Sequence, residues 1–137
     1  MRVLTFRLMQ FAVCSLCLTV AFHYALNLSL GKGSVLLPVL CAVAYFCLMF
    51  IDGLYFGSKD SSENEIHDIG FRYHLVTYLL CIGIGYAASY IGWCGVSLKS
   101  MNITALLWGV GLFIHFLFFV LQWKNTIRGY SKDEIFQ

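Results

Sequence analysis

Four uninterrupted apolar runs of about 20 residues occupy most of this chain, and they constrain it more than any other feature. They extend from Val3 to Leu28, Ser34 to Phe56, Gly70 to Trp93 and Ile103 to Trp123. A helix needs about 20 residues to cross roughly 30 Å of hydrocarbon. Strands of a membrane barrel alternate in polarity and last only about ten residues, so continuous runs select helices. The expected fold is an all-α integral membrane protein with four transmembrane helices arranged as two antiparallel hairpins.

The 137 residues are 60% hydrophobic and only 12% charged, far below the charged share of a soluble domain, so no separate globular unit fits beside the runs. The organisation expected is one membrane domain: hairpin one over 3–56, a cytoplasmic loop over 57–69, hairpin two over 70–123 and a short cytoplasmic tail over 124–137. Gly31-Lys32-Gly33 and the stretch from Val96 to Asn102 make the outer turns.

The basic residues set the orientation. Arg2, Arg7, Lys59, Arg72, Lys124, Arg128 and Lys132 fall on one side and only Lys32 and Lys99 on the other, so the positive-inside rule puts both termini in the cytoplasm. The first run is longer than the apolar core of a signal peptide and is expected to stay as a span. Asn27-Leu-Ser29 and Asn102-Ile-Thr104 match the glycosylation pattern on the outer side, close against the membrane. A net charge of +2 without a basic cluster excludes a nucleic-acid partner. The lipid bilayer is the expected surrounding, and the bacterial inner membrane the expected location.

Helices in lipid associate through small residues and hidden polar groups, which should recur at helical spacing. Span one carries Arg7, Gln10, Cys14, Cys17, Ala21 and Tyr24 in this way, and span two carries Ser34, Pro38, Cys41, Tyr45, Leu48 and Asp52. Span three offers His74, Tyr78, Cys81, Gly85, Ala88 and Gly92; span four answers with Thr104, Trp108, Gly111, His115, Phe118 and Gln122. Among these, Cys81, Gly85, Gly92, Gly111 and His115 are the candidate helix-packing residues. Cys14-Ser-Leu-Cys17 has redox spacing, but it lies inside a helix in apolar surroundings that raise a thiol pKa, so packing explains it better.

Ionisable groups inside a membrane are functional candidates by default. Matching residues across the expected turns places Asp52, His74, Gln10, Gln122 and Arg7 in one polar layer near the cytoplasmic face. Such a layer either fixes helix register or forms a proton or ligand site. The same matching sets His115 opposite Cys81, roughly 10 Å deeper than His74 at 1.5 Å per residue. That depth difference argues against a haem held between the two histidines. His23 lies nearest the outer surface. Asp60, Glu63, Glu65, His67 and Asp68 read as a hydrated acidic loop, and Ser131-Lys-Asp-Glu134 has capping-box spacing. No nucleophile, phosphate-loop or metal-protease motif is present, so no catalytic residue, metal site or cofactor is expected.

Phe71-Arg-Tyr-His74-Leu-Val-Thr-Tyr78, Trp108-Gly-Val-Gly-Leu-Phe-Ile-His115 and Trp123 give the second hairpin a further reading. Over about 70–124 it resembles the bacterial two-transmembrane or 2TM domain, often attached to sensor histidine kinases. The resemblance implies a membrane-embedded sensing or assembly module. The function expected is a non-enzymatic oligomeric or accessory subunit of a membrane complex. The alternatives are an oligomeric channel or proton-linked transporter using the Asp52/His74 layer, and a haem- or quinone-binding electron-transfer subunit.

Overall fold

The computed structural model describes residues 4–64, 69–93 and 95–128, and the side chains of these except 64 and 122–128. The described residues form four helices, α1 (Phe6–Leu30), α2 (Leu36–Asn64), α3 (Ile69–Tyr90) and α4 (Leu98–Arg128), and no strand. Three of them are long and apolar enough to cross a bilayer: Phe6–Leu30, Leu36–Glu63 and Leu98–Leu121. α3, which carries Arg72, His74 and four tyrosines, is not among these three.

Local chemistry sets the helix ends. Thr5 is extended (φ −96°, ψ 156°), and its hydroxyl accepts the Leu8 N–H at 3.1 Å, an N-cap worth about 1 kcal/mol. Pro38 falls in the first turn of α2, where its missing N–H would have had no partner anyway. α3 closes on Gly92 in the left-handed conformation (φ 69°), which lets Trp93 N–H reach the Ala88 carbonyl at 2.9 Å and Gly92 N–H reach Ser89. This is the Schellman closure that favours glycine. The Ser97 hydroxyl caps α4 by accepting the Ser100 N–H.

The stretch expected as a loop over 57–69 is helical as far as Asn64. Asp60 and Glu63 have partners along the start of α1, so the backbone continues α2 instead of turning away; Glu65, His67 and Asp68 lie outside the described residues. α4 likewise begins at Leu98, inside the expected outer turn, and runs on to Arg128 in the expected tail.

α1 is the central element. It packs on α2 and on α3, α2 and α3 meet more lightly, and α4 packs on α3 alone, with no Cα within 8 Å of one in α1 or α2. Leu8, Phe11, Ser15, Thr19 and His23, at steps of three and four, form the buried face of α1. Phe11 is 1% exposed, tilted on Tyr73 at 4.7 Å between centroids and edge-on to Phe56, with Ile69 and Val76 completing this core. Each large apolar side chain so buried gains roughly 1.5–3 kcal/mol relative to exposure.

Two of the expected stripes are corrected. On α1 the Cys14, Cys17, Ala21 and Tyr24 side chains are exposed, because the bulky Phe11 and the Ser15 and Thr19 hydroxyls take the interior one residue away. On α4 the face against α3 holds Met101, Ala105, Trp108, Gly109 and Leu112, which leaves Thr104, His115 and Phe118 exposed and Gly111 with no neighbouring atom within 4 Å of an added Cβ. The α2 stripe through Pro38, Cys41, Tyr45 and Asp52 does face inward, with Met49 in place of Leu48.

Candidate functional site

The buried side of α1 is a polar spine. At its first turn the Thr5 hydroxyl donates to Asp60 Oδ2 at 2.7 Å, and the Tyr73 hydroxyl donates to the same oxygen at 3.2 Å. Asp60 is 2% exposed, so α1, α2 and α3 meet on one buried carboxylate. Arg7 lies beside it on the surface. Its Nε and Nη2 donate to the two oxygens of Glu63 at 2.9 and 2.6 Å, and its Nη1 donates to Gln10 at 3.0 Å.

Further along, the Ser15 hydroxyl donates to Asp52 Oδ2 at 3.4 Å. One turn later Thr19, Tyr45 and Cys81 bring the three helices together again. The Thr19 hydroxyl donates to the Ser15 carbonyl at 2.7 Å; its oxygen lies 2.8 Å from the Tyr45 hydroxyl and 3.6 Å from the Cys81 sulfur. Tyr45 and Cys81 are 2.8 Å apart. Thr19 has one proton, given to the backbone, so Tyr45 donates to Thr19 and the Cys81 thiol donates to Tyr45. The resulting relay runs Cys81 to Tyr45 to Thr19 to the Ser15 carbonyl. Every group in it is neutral. The next buried position, His23, leaves Nδ1 without a partner among the described residues.

The α3–α4 contact carries a second set of polar groups. Trp108 Nε1 donates to His74 Nε2 at 2.9 Å, which assigns the His74 proton to Nδ1. The His74 and His115 rings lie 4.8 Å apart, tilted by 36°. The Tyr78 hydroxyl donates to the Ala105 carbonyl at 3.2 Å, passing over Gly109 where a Cβ would stand 3.5 Å from it. Tyr86 donates to Asn102 Oδ1 at 2.6 Å.

The polar layer read from the sequence resolves into separate contacts. Asp52 holds Ser15, Arg7 holds Gln10 and Glu63, and His74 holds Trp108. Among the described residues no hydrogen bond joins Asp52 to His74, and the Gln122 side chain lies outside them. His115 is corrected in depth: it stands beside His74 rather than opposite Cys81. The reason is the turn, which lies between Tyr90 and Leu98 instead of over 96–102 and slides α4 along α3. Cys81 is a buried packing residue held by Tyr45 and Thr19. Gly85 is also a contact residue, since a Cβ there would overlap Met101 Cε. Gly92 is a helix cap, and Gly111 touches nothing across α3.

Thr5 and Asp60 were missed as site residues. The signal was present: Asp52, Phe56 and Asp60 continue the α2 stripe in steps of four.

These groups join helices. Among the described residues no three of His, Cys, Asp and Glu converge as a metal site. The histidine rings lie side by side with His74 Nε2 already accepting from Trp108, so no macrocycle fits between them. The class defined is an all-helical protein with helices suited to lipid. Compared with protein-family models, curated proteins and solved structures, the chain matches none.

Proposed function

We propose that this chain is a four-span integral membrane protein, with both termini cytoplasmic, that works as an oligomeric or accessory subunit of a larger membrane complex and carries no catalysis of its own. The observation that carries this reading is the position of α4. It leans on α3 alone, and its most apolar stretch contains no buried residue. A helix so placed adds a large outer surface while contributing little to the core around Phe11.

The count of four spans rests on α3. At 22 residues it is about 33 Å long, enough to cross. Tyr73 is covered by α1 and α2, and His74 and Tyr78 engage α4, so much of its polarity is turned toward neighbouring helices. The likeness of 70–124 to the 2TM domain supports an assembly or sensing role for the second hairpin. A bacterial inner membrane suits that likeness. The subunit reading is preferred to a channel or transporter because Asp52 and His74 are engaged with different neighbours rather than lining one path.

The test is purification of the full chain in a mild detergent, with mass determination of the particle and identification of whatever accompanies it. A particle larger than one chain, or a stoichiometric partner, is the expected result. A monodisperse monomer that copurifies with nothing overturns the reading.

A further inference from the structure

The α4 stripe of Thr104, Gly111, His115 and Phe118 has the composition of a face that membrane helices hide, yet it lies on the flank of α4 that α3 leaves uncovered. His115 is exposed, and its nitrogens have no hydrogen bond among the described residues, although its ring touches His74. It is six residues before Leu121, where the apolar span of α4 ends, so about 9 Å inside the hydrocarbon from that end, at the level of His74. An uncovered imidazole at that depth is costly. One turn away Gly111 offers bare backbone with open space above it, which permits the close helix approach that small residues give in lipid.

We infer that this flank is the contact between two copies of the chain, with α4 crossing α4 on a two-fold axis beside Gly111 and His115. This rests on the oligomeric reading above and assigns it a surface. The occupant is a second copy because neutral imidazole is self-complementary. One ring nitrogen donates and the other accepts, so two His115 side chains at equal depth satisfy each other across the axis. Neither an aliphatic lipid chain nor an apolar partner helix supplies that bond. The opposite flank, with Leu106 and Val110, is apolar and calls for no such partner.

The experiment is energy transfer between labelled full-length chains in liposomes, read across a range of protein-to-lipid ratios. The wild-type chain should give a dimer isotherm. His115→Leu should weaken association about three- to tenfold. Gly111→Leu should weaken it by blocking close approach, and His115→Asn, whose amide also donates and accepts, should restore it. Leu106→Val serves as a control on the other flank and should leave the isotherm unchanged. Helix content measured by circular dichroism keeps misfolded variants out of the comparison. An oligomer that His115→Leu and Gly111→Leu leave intact overturns this interface while the oligomeric reading stands. A wild-type monomer found with a different protein overturns the interface and keeps the accessory reading; a monomer with no companion overturns both.

Discussion

The Tyr45 hydroxyl lies 2.8 Å from the Cys81 sulfur, tying α2 to α3 where those helices otherwise meet only lightly. Thr19 of α1 completes the junction, so three helices share one short relay of neutral groups. Because each member satisfies another, the energetic effect of losing one depends on what remains.

Tyr45→Phe should therefore destabilise the protein by about 1 kcal/mol, the net worth of a hydrogen bond, and leave the Cys81 thiol only the longer approach to Thr19. Cys81→Ala should cost a similar amount. The double variant should cost less than the two losses added together, with a coupling of about 0.5–1.5 kcal/mol in a double-mutant cycle. Thermal unfolding in detergent measures all four forms. Strictly additive losses would dismiss the relay.

Asp60 should matter more, since its carboxylate takes both the Thr5 and the Tyr73 hydroxyls in a buried setting. Asp60→Ala strands two donors, and stranding costs about 1–3 kcal/mol each before relaxation. Asp60→Asn keeps an acceptor oxygen and should fall between wild type and alanine. Glu63→Gln, at the exposed Arg7 pair, should change the unfolding temperature least of the three. An Asp60→Ala chain as stable as wild type would remove the carboxylate from the list of helix-joining groups.

Most of this architecture was legible because its cause is one-dimensional. Apolar run length marks α1, α2 and α4 directly, and the inward stripe of α2 follows from Pro38, Cys41, Tyr45 and Asp52 recurring at helical steps. Helix facing was harder. On α1 the sequence offers two adjacent stripes, one of cysteines and one of Phe11, Ser15 and Thr19, and only packing against Tyr73 and Tyr45 decides between them. The depth of His115 depended on the turn. Moving that turn by a few residues slides one helix past the other and exchanges His115's neighbour from Cys81 to His74. The acidic stretch looked like a loop because polarity usually marks one; here Asp60 and Glu63 have partners on α1 and keep the helix going.

Gly92 and Gly111 looked alike in the sequence and should behave differently. Gly92 has φ 69°, a conformation that costs a residue with Cβ about 1–2 kcal/mol, so Gly92→Ala should destabilise by about that much. Gly111 is within α4 and has open space around it, so Gly111→Ala should leave monomer folding unchanged or slightly improved through helix propensity. Unfolding in a detergent that keeps the chain monomeric separates the two. Equal losses would mean that both glycines act through packing.

The path of α3 decides the topology, because three apolar helices cross an odd number of times and four cross an even number. If α3 crosses, tags at the two termini share a side, and cysteines placed at Lys32 and Lys99 are labelled from the opposite side by a membrane-impermeant maleimide. If α3 instead lies along the surface, α4 starts on the side of Ser62 and ends on the side of Lys32, so the C-terminal tag changes sides. Right-side-out and inverted vesicles distinguish these outcomes. We expect both termini and a cysteine at Ser62 to be reached only in inverted vesicles, and Lys32→Cys and Lys99→Cys only in right-side-out ones. A C-terminal tag accessible together with Lys32→Cys would replace four spans with three. It would also place the Asp60 junction, where α3 meets α1 and α2, at a membrane surface rather than at the end of a bundle.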